Sequence, residues 1–212
     1  MDDNRVKRNE MLSQKIIKGL ESRNMEGYYA KTKEEALKIA LSLIPEGSSV
    51  GWGGSVSVNE IGLKQAILDG NYKALNRDAC TDPAEKKAIE LATFGADYFL
   101  CSSNAITEDG ILVNIDGNSN RVAAIAYGPA HVLMIVGMNK VAKNLEAAMY
   151  RARNEAAPIN AQRFPLDTPC KKTGSCFDCM SKDTICCQFL TTRFSRHTGR
   201  IKVILVEEDL GF

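Results

Sequence analysis

Apolar residues Val6, Met11, Leu12, Ile16, Ile17 and Leu20 recur at near-helical spacing. They predict an amphipathic helix from about Val6 to Arg23 with a charged outer face. Tyr28 and Tyr29 form a short strand candidate. Thr32-Lys33-Glu34-Glu35 is a capping-box pattern that opens a second helix through Ala36, Leu37, Ile39, Ala40 and Leu43, stopped by Pro45 and Gly47. Ser48-Ser49-Val50-Gly51-Trp52-Gly53-Gly54-Ser55 predicts a short strand running into a glycine-rich turn. A third helix is expected from Ser57 to about Gly70, with Glu60 completing a second capping box. Tyr72 to Leu75 is the next strand candidate. Asp82-Pro83 starts a fourth helix, with Pro at the first helical position, ending at Gly95.

The middle of the chain turns β-rich. Tyr98–Ser102, Ile111–Asn114, Arg121–Tyr127 and Val132–Val136 all predict strands, with Asp116 to Asn120 as turn chemistry between two of them. A long helix is expected over about Lys140 to Asn154, with Pro158 and Pro165 marking its exit. Ile201 to Val206 predicts a buried strand, followed by an acidic tail. Strands and helices alternate in the first half, which argues for an α/β fold with a mainly parallel sheet flanked by helices. The 212 residues are expected to form one domain, with a cysteine-rich loop at 168–190.

Composition narrows the functional classes. The formal net charge is +1, so no domain-sized basic field exists to neutralise phosphates, and nucleic acid is not an expected partner. The N-terminus, Met1-Asp2-Asp3-Asn4-Arg5, has no apolar stretch of signal-peptide type, and no apolar run approaches the ~20 residues of a membrane span. A reducing cytoplasm is the expected setting, with no membrane partner.

There Cys170, Cys176, Cys179, Cys186 and Cys187 are poor candidates for disulfides. The spacing is C-x5-C-x2-C-x6-C, with one further Cys adjacent. Thiolates are soft, charged ligands, and a C-x2-C knuckle turns two sulfurs towards one metal. Four cysteines suit either a [4Fe-4S] cluster or Zn, with iron–sulfur the favoured reading. A reduced loop without metal is the plainer alternative. The isolated Cys80 and Cys101 read as small buried hydrophobes.

Two polar features remain. Gly51, Gly53, Gly54 and Ser55 follow a strand and precede a helix, a turn that can present N–H groups to an anion or merely connect tightly. Glu60 is a candidate general base or nucleophile, with capping as its simpler role. Asn104, Thr107, Gly110, Asn114, Asp116, Asn120 and Arg121 make a stretch dense in hydrogen-bonding groups, read as a polar pocket or as hairpin turns. His131 reads as structural.

These residues carry a resemblance. Val50-Gly51-Trp52-Gly53-Gly54-Ser55 with Glu60, Asn104 to Gly110, Asn114 to Gly117 with Asn120 to Ala123, Tyr127-Gly128-Pro129, Val136 to Lys140, Asn154 to Ala161 and the cysteine segment together resemble the LUD-domain family of lactate-utilisation proteins. The resemblance implies a fold like the NagB/RpiA/CoA-transferase group, with ligands near glycine-rich strand ends. It implies a link to the oxidation of lactate to pyruvate alongside iron–sulfur oxidoreductase subunits. A small organic acid or its derivative is then the expected ligand, and a homodimer is compatible. Where the family pattern has Cys-Asn, this chain has Cys186-Cys187, which makes Cys186 the expected fourth ligand and Cys187 the spare. A transferase or isomerase acting on a CoA-linked or phosphorylated small molecule, and a non-catalytic subunit with structural zinc, remain alternatives.

Overall fold

The computed structural model describes residues 3–212, so Met1 and Asp2 of the N-terminal reading lie outside the described residues. The chain runs α1 (Asp3–Ser22), β1 (Glu26–Ala30), α2 (Lys33–Leu43), β2 (Ser49–Trp52), α3 (Val56–Glu60), α4 (Leu63–Asp69), β3 (Lys73–Leu75), α5 (Pro83–Ala92) and β4 (Tyr98–Cys101). It continues as β5 (Ala105–Thr107), β6 (Leu112–Asp116), α6 (Asn120–Ala126), β7 (His131–Gly137), β8 (Val141–Ala142) and α7 (Leu145–Arg151). The last elements are α8 (Ala157–Ala161), α9 (Pro169–Thr173), β9 (Gln188–Thr192) and β10 (Ile201–Val206). Six strands form one sheet in the order β1-β10-β7-β4-β2-β3, with every pairing parallel. A smaller sheet has the order β8-β5-β6-β9, in which only β5 and β8 run parallel.

The central strands are apolar on both faces because both are covered. Val132, Met134 and Val136 of β7 point into one core with Leu12, Ile16 and Leu20 of α1, Ala124 and Ile125 of α6, and Leu112 of the small sheet. Leu133 and Ile135, the alternate positions, point into a second core with Ala36 and Ala40 of α2 and Leu63 and Ile67 of α4. A third cluster joins Val113 and Ile115 of β6 to Ala148 and Ala152 of the α7 region. The α/β organisation read from the alternation of elements is therefore present.

Several boundaries differ from the sequence reading. Arg121–Tyr127 is helix α6, not a strand. The Asp116 carboxylate accepts from the N–H groups of Arg121 and Val122 at 3.0 and 3.1 Å and caps the first turn from outside it. Ser57–Gly70 is two helices, broken at Gly62, whose φ is +75°. The cap of the first is Ser55, which accepts from Val58 N at 3.3 Å, so Ser57 and Glu60 form no capping box. The box at Thr32 is present: Thr32 accepts from Glu35 N at 3.2 Å, and Glu35 accepts from Lys31 N at 2.7 Å.

Lys140 does not open a helix. It ends a 3-10 turn, β8 follows, and the helix starts at Leu145, capped by Asn144 through Ala147 N at 2.9 Å. A π-turn at Ala152–Ala156 then carries the helix past Pro158, which lies inside α8 rather than at an exit. The locally shifted hydrogen-bond pattern lets the proline, which has no N–H to give, sit there. The strand β9 was not read from the sequence. It is half-exposed and paired to β6 alone, so it lacks a continuous apolar signature.

Candidate functional site

In an open parallel sheet, the segments leaving the carboxyl ends of neighbouring strands share one edge and face a common crevice. Here four adjacent strands end together. After β7 comes Lys140, after β4 come Ser102 to Asn104, after β2 come Gly53 to Ser55, and after β3 comes Arg77. A cleft of about 750 Å³ opens over these ends and is lined by all of them. Its far wall is the cysteine-rich loop, through Lys182, Asp183, Thr184 and Ile185. Seven basic and four acidic side chains line it, so its field favours an anion.

Arg121 is the organising residue of one wall. Its Nη1 donates to Ser102 O at 3.1 Å and Asn114 Oδ1 at 2.5 Å, and its Nη2 donates to Asn104 Oδ1 at 2.9 Å and Ile115 O at 2.6 Å. The guanidinium fork is committed to tying the segment after β4 to β6. Glycine at 53 is what lets it approach: a Cβ there would meet the Arg121 chain at 3.2 Å and the Phe99 ring at 3.3 Å.

Arg77 sits on the opposite side, 15% exposed. Its Nη1 donates to Glu90 Oε1 at 2.8 Å, while its Nε is buried with no hydrogen-bond partner. Among the described residues two buried side-chain polar atoms lack partners, Arg77 Nε and Asn114 Nδ2, and both belong to this region. The Arg77 Nε lies 3.7 Å from Asp78 Oδ1, an ion-pair contact too long for a hydrogen bond, so the N–H keeps donor capacity beside the cleft. Nearby, the Asp78 carboxylate accepts from Trp52 Nε1 at 2.9 Å and Lys64 Nζ at 2.7 Å. Burial pushes Asp78 up, but these donors and the Lys64 charge hold it below the usual carboxylate range.

Lys140 lies at the base of the cleft, 3% exposed. Its Nζ donates to Ser57 Oγ at 2.9 Å and Ser102 Oγ at 3.0 Å. Burial, then the charges of Arg151 and Arg121, push its pKa down to about 7, against the opposing pull of Glu60. A buried lysine whose charge is in balance near neutral pH can bind an anion, carry a proton or act as an amine nucleophile. Sequence reasoning missed it by placing it in a helix. Its signal was position: the first lysine after a continuous apolar strand.

The structure sorts the sequence-predicted residues. Gly53, Gly54, Ser55, Asn104, Asp116, Asn120 and Arg121 line the cleft. Asn114 is buried behind it, bonded to Arg121. Gly51 does not line it: it lies inside β2, where a Cβ would strike Thr93 at 2.5 Å. Thr107 and Gly110 are outside the lining too. Thr107 Oγ1 donates to Asp109 at 2.6 Å and accepts from Ile111 N at 2.8 Å, so these two make the hairpin turn. Glu60 is exposed, and its Oε2 accepts from Gly211 N at 2.8 Å instead of facing the cleft. His131 stacks on Tyr98, ring centroids 4.7 Å apart, with Nδ1 3.0 Å from Gly199 O.

The cysteines occupy α9 and the irregular loop that follows. Asp178 N donates to Cys176 Sγ at 3.5 Å, and Cys187 N donates to Asp116 O at 3.0 Å. Cys170, Cys176, Cys179 and Cys186 are half-buried, whereas Cys187 is exposed and Cys101 is fully buried. Burial, then the combined field of Cys176, Cys170, Cys179 and Cys187, pushes the Cys186 thiol up to about 11. Among the described residues, no three His, Cys, Asp or Glu side chains are placed so as to hold a metal ion. No helix among them is long and apolar enough to cross a membrane.

A structure of a DUF162 family protein from Deinococcus radiodurans superposes with a TM-score of 0.50 at 12% identity, over 96% of this chain and 98% of that one, and so shares its fold. A ribose 5-phosphate isomerase A from Methanocaldococcus jannaschii gives a TM-score of 0.36 at 17% identity, over 53% of this chain and 55% of that one, too slight a likeness to carry an argument. No curated protein matches the chain. The sequence profile of the LUD domain matches residues 13–206, and the chain belongs to the LUD-domain family.

Proposed function

We propose that this LUD-domain protein binds a small organic-acid anion in the cleft at the strand ends, with Lys140 and Arg77 as its cationic contacts. The observation that carries this is the pairing of a buried lysine without a carboxylate partner and an arginine whose buried Nε makes no hydrogen bond, with only Asp78 Oδ1 3.7 Å away, at one basic cleft. Both groups have donor capacity that the protein itself leaves unused. The lactate-utilisation role implied by the family resemblance fits a 2-hydroxy or 2-oxo acid, since either presents a carboxylate and an adjacent oxygen. Organic-acid oxidation alongside iron–sulfur partners is the activity this reading favours.

We further propose that Cys170, Cys176, Cys179 and Cys186 hold a [4Fe-4S] cluster, with zinc as the alternative. What supports this is the donor set itself, four half-buried soft thiols within one short stretch of chain. Such a cluster would supply one-electron transfer beside the cleft. Residues 182–185, just before Cys186, form the shared wall, so ligand and cluster would be neighbours.

A thermal-shift series with small carboxylates tests the first reading. A bound acid at one hundred times its Kd should add ~2.7 kcal/mol of stability and raise Tm by roughly 5–10 °C. An unchanged Tm across 2-hydroxy and 2-oxo acids would remove it. Anaerobic purification tests the second. Brown protein with equal iron and sulfide is expected, and a colourless protein with stoichiometric zinc would exclude the electron-transfer role.

A further inference from the structure

Lys140 carries more than charge. An ammonium buried in a protein is ordinarily held by a carboxylate. Here the partners of Nζ are two hydroxyls, Ser57 Oγ and Ser102 Oγ, and none of the ion pairs among the described residues involves Lys140. The charged groups that bear on it are Arg151 from α7, Arg121 from α6 and Glu60 from α3, two cations against one acid. The environment therefore favours the neutral amine, which is a nucleophile, at the base of a cleft built for an anion.

We propose that Lys140 Nζ condenses with the keto carbon of a 2-oxo acid bound in the cleft and forms an imine. This rests on the reading of the cleft as an organic-acid site. The amine lone pair forms the C–N bond as the carbonyl π pair moves to oxygen. A proton leaves nitrogen and reaches that oxygen, giving a carbinolamine. The second nitrogen-bound proton is then delivered to that hydroxyl, which departs as water as nitrogen forms the C=N bond. No electron is gained or lost, and water is the only by-product. Ser57 and Ser102, each able to donate and accept, stand where the protons must pass. Arg77 is the cationic donor for the substrate carboxylate.

The test uses the whole protein with pyruvate as probe and cyanoborohydride as trap, read by peptide mass mapping. The reduced adduct is expected on Lys140 at neutral pH, on the order of tenfold above exposed lysines such as Lys31 and Lys143, because ordinary lysines stay protonated there. Trapping should accelerate as pH rises through 7, where burial and the two arginines have moved the amine. Lys140→Arg should lose the adduct. If that variant does not fold, the wild-type map still decides. Wild-type protein that binds pyruvate but leaves Lys140 unmodified overturns the imine and leaves the acid site standing. Protein that binds neither pyruvate nor any other small acid overturns both.

Discussion

Lys140 is buried and Arg121 partly buried at one cleft, yet their partners assign them different work. Arg121 spends four donor contacts on main-chain and amide oxygens and so builds the wall. Lys140 has only two hydroxyls and is left with a charge its surroundings resist. The stability consequence has a definite sign. Its folded pKa, pushed down to about 7, lies below the ordinary lysine value, so between the two the unfolded chain binds more protons and stability rises with pH. Lys140→Met, which removes the charge, should therefore stabilise the protein most below pH 7 and progressively less towards pH 10. Urea unfolding at pH 6, 8 and 10 reads this, and a pH-independent difference would contradict the burial account. In the sequence, Arg121 was legible because it sits in an Asn- and Asp-rich stretch. Lys140 was not, because its chemistry comes from Ser57 and Ser102, 83 and 38 residues away.

At the scale of elements, the reading succeeded where period and caps agreed. The box at Thr32, the Asp82-Pro83 start and the apolar runs of β7 and β10 are all in place. It failed where a distant side chain decides. Asn120–Ala126 is short and apolar, as a strand would be, and the Asp116 carboxylate tips it to a helix. The two-residue strand β8 exists only because β5 is there to pair with it. Close approach also settles the hairpin between β5 and β6. Gly110 has φ +87°, and a Cβ there would lie 2.6 Å from the α1 backbone at Gly19. Gly110→Ala should cost about 2 kcal/mol or more by unfolding, because it is strained in backbone and crowded in space. A loss below ~0.5 kcal/mol would mean that α1 does not hold this contact in solution.

At the scale of the whole molecule, the parallel sheet brings the ends of β7, β4, β2 and β3 to one edge, and the cysteine loop closes over them. The glycine turn, the Asn104 segment and the cysteine loop looked like separate sites along the chain. They are neighbours because Cys187 N bonds Asp116 O, and because Gly117 lets Ile185 pack against it at 3.0 Å from where its Cβ would be. That juxtaposition draws together residues from Gly53 to Ile185 and had no local signature. The central claim is that this edge binds an organic acid through Arg77 and Lys140. It is tested most directly by calorimetric titration of a small 2-oxo acid into the wild-type protein and into folded Arg77→Met. The account predicts binding by the wild type that weakens about tenfold or more in the variant, since a charge-assisted contact contributes ~1.5–3 kcal/mol. No heat with the wild type, or equal affinity in the variant, would contradict it.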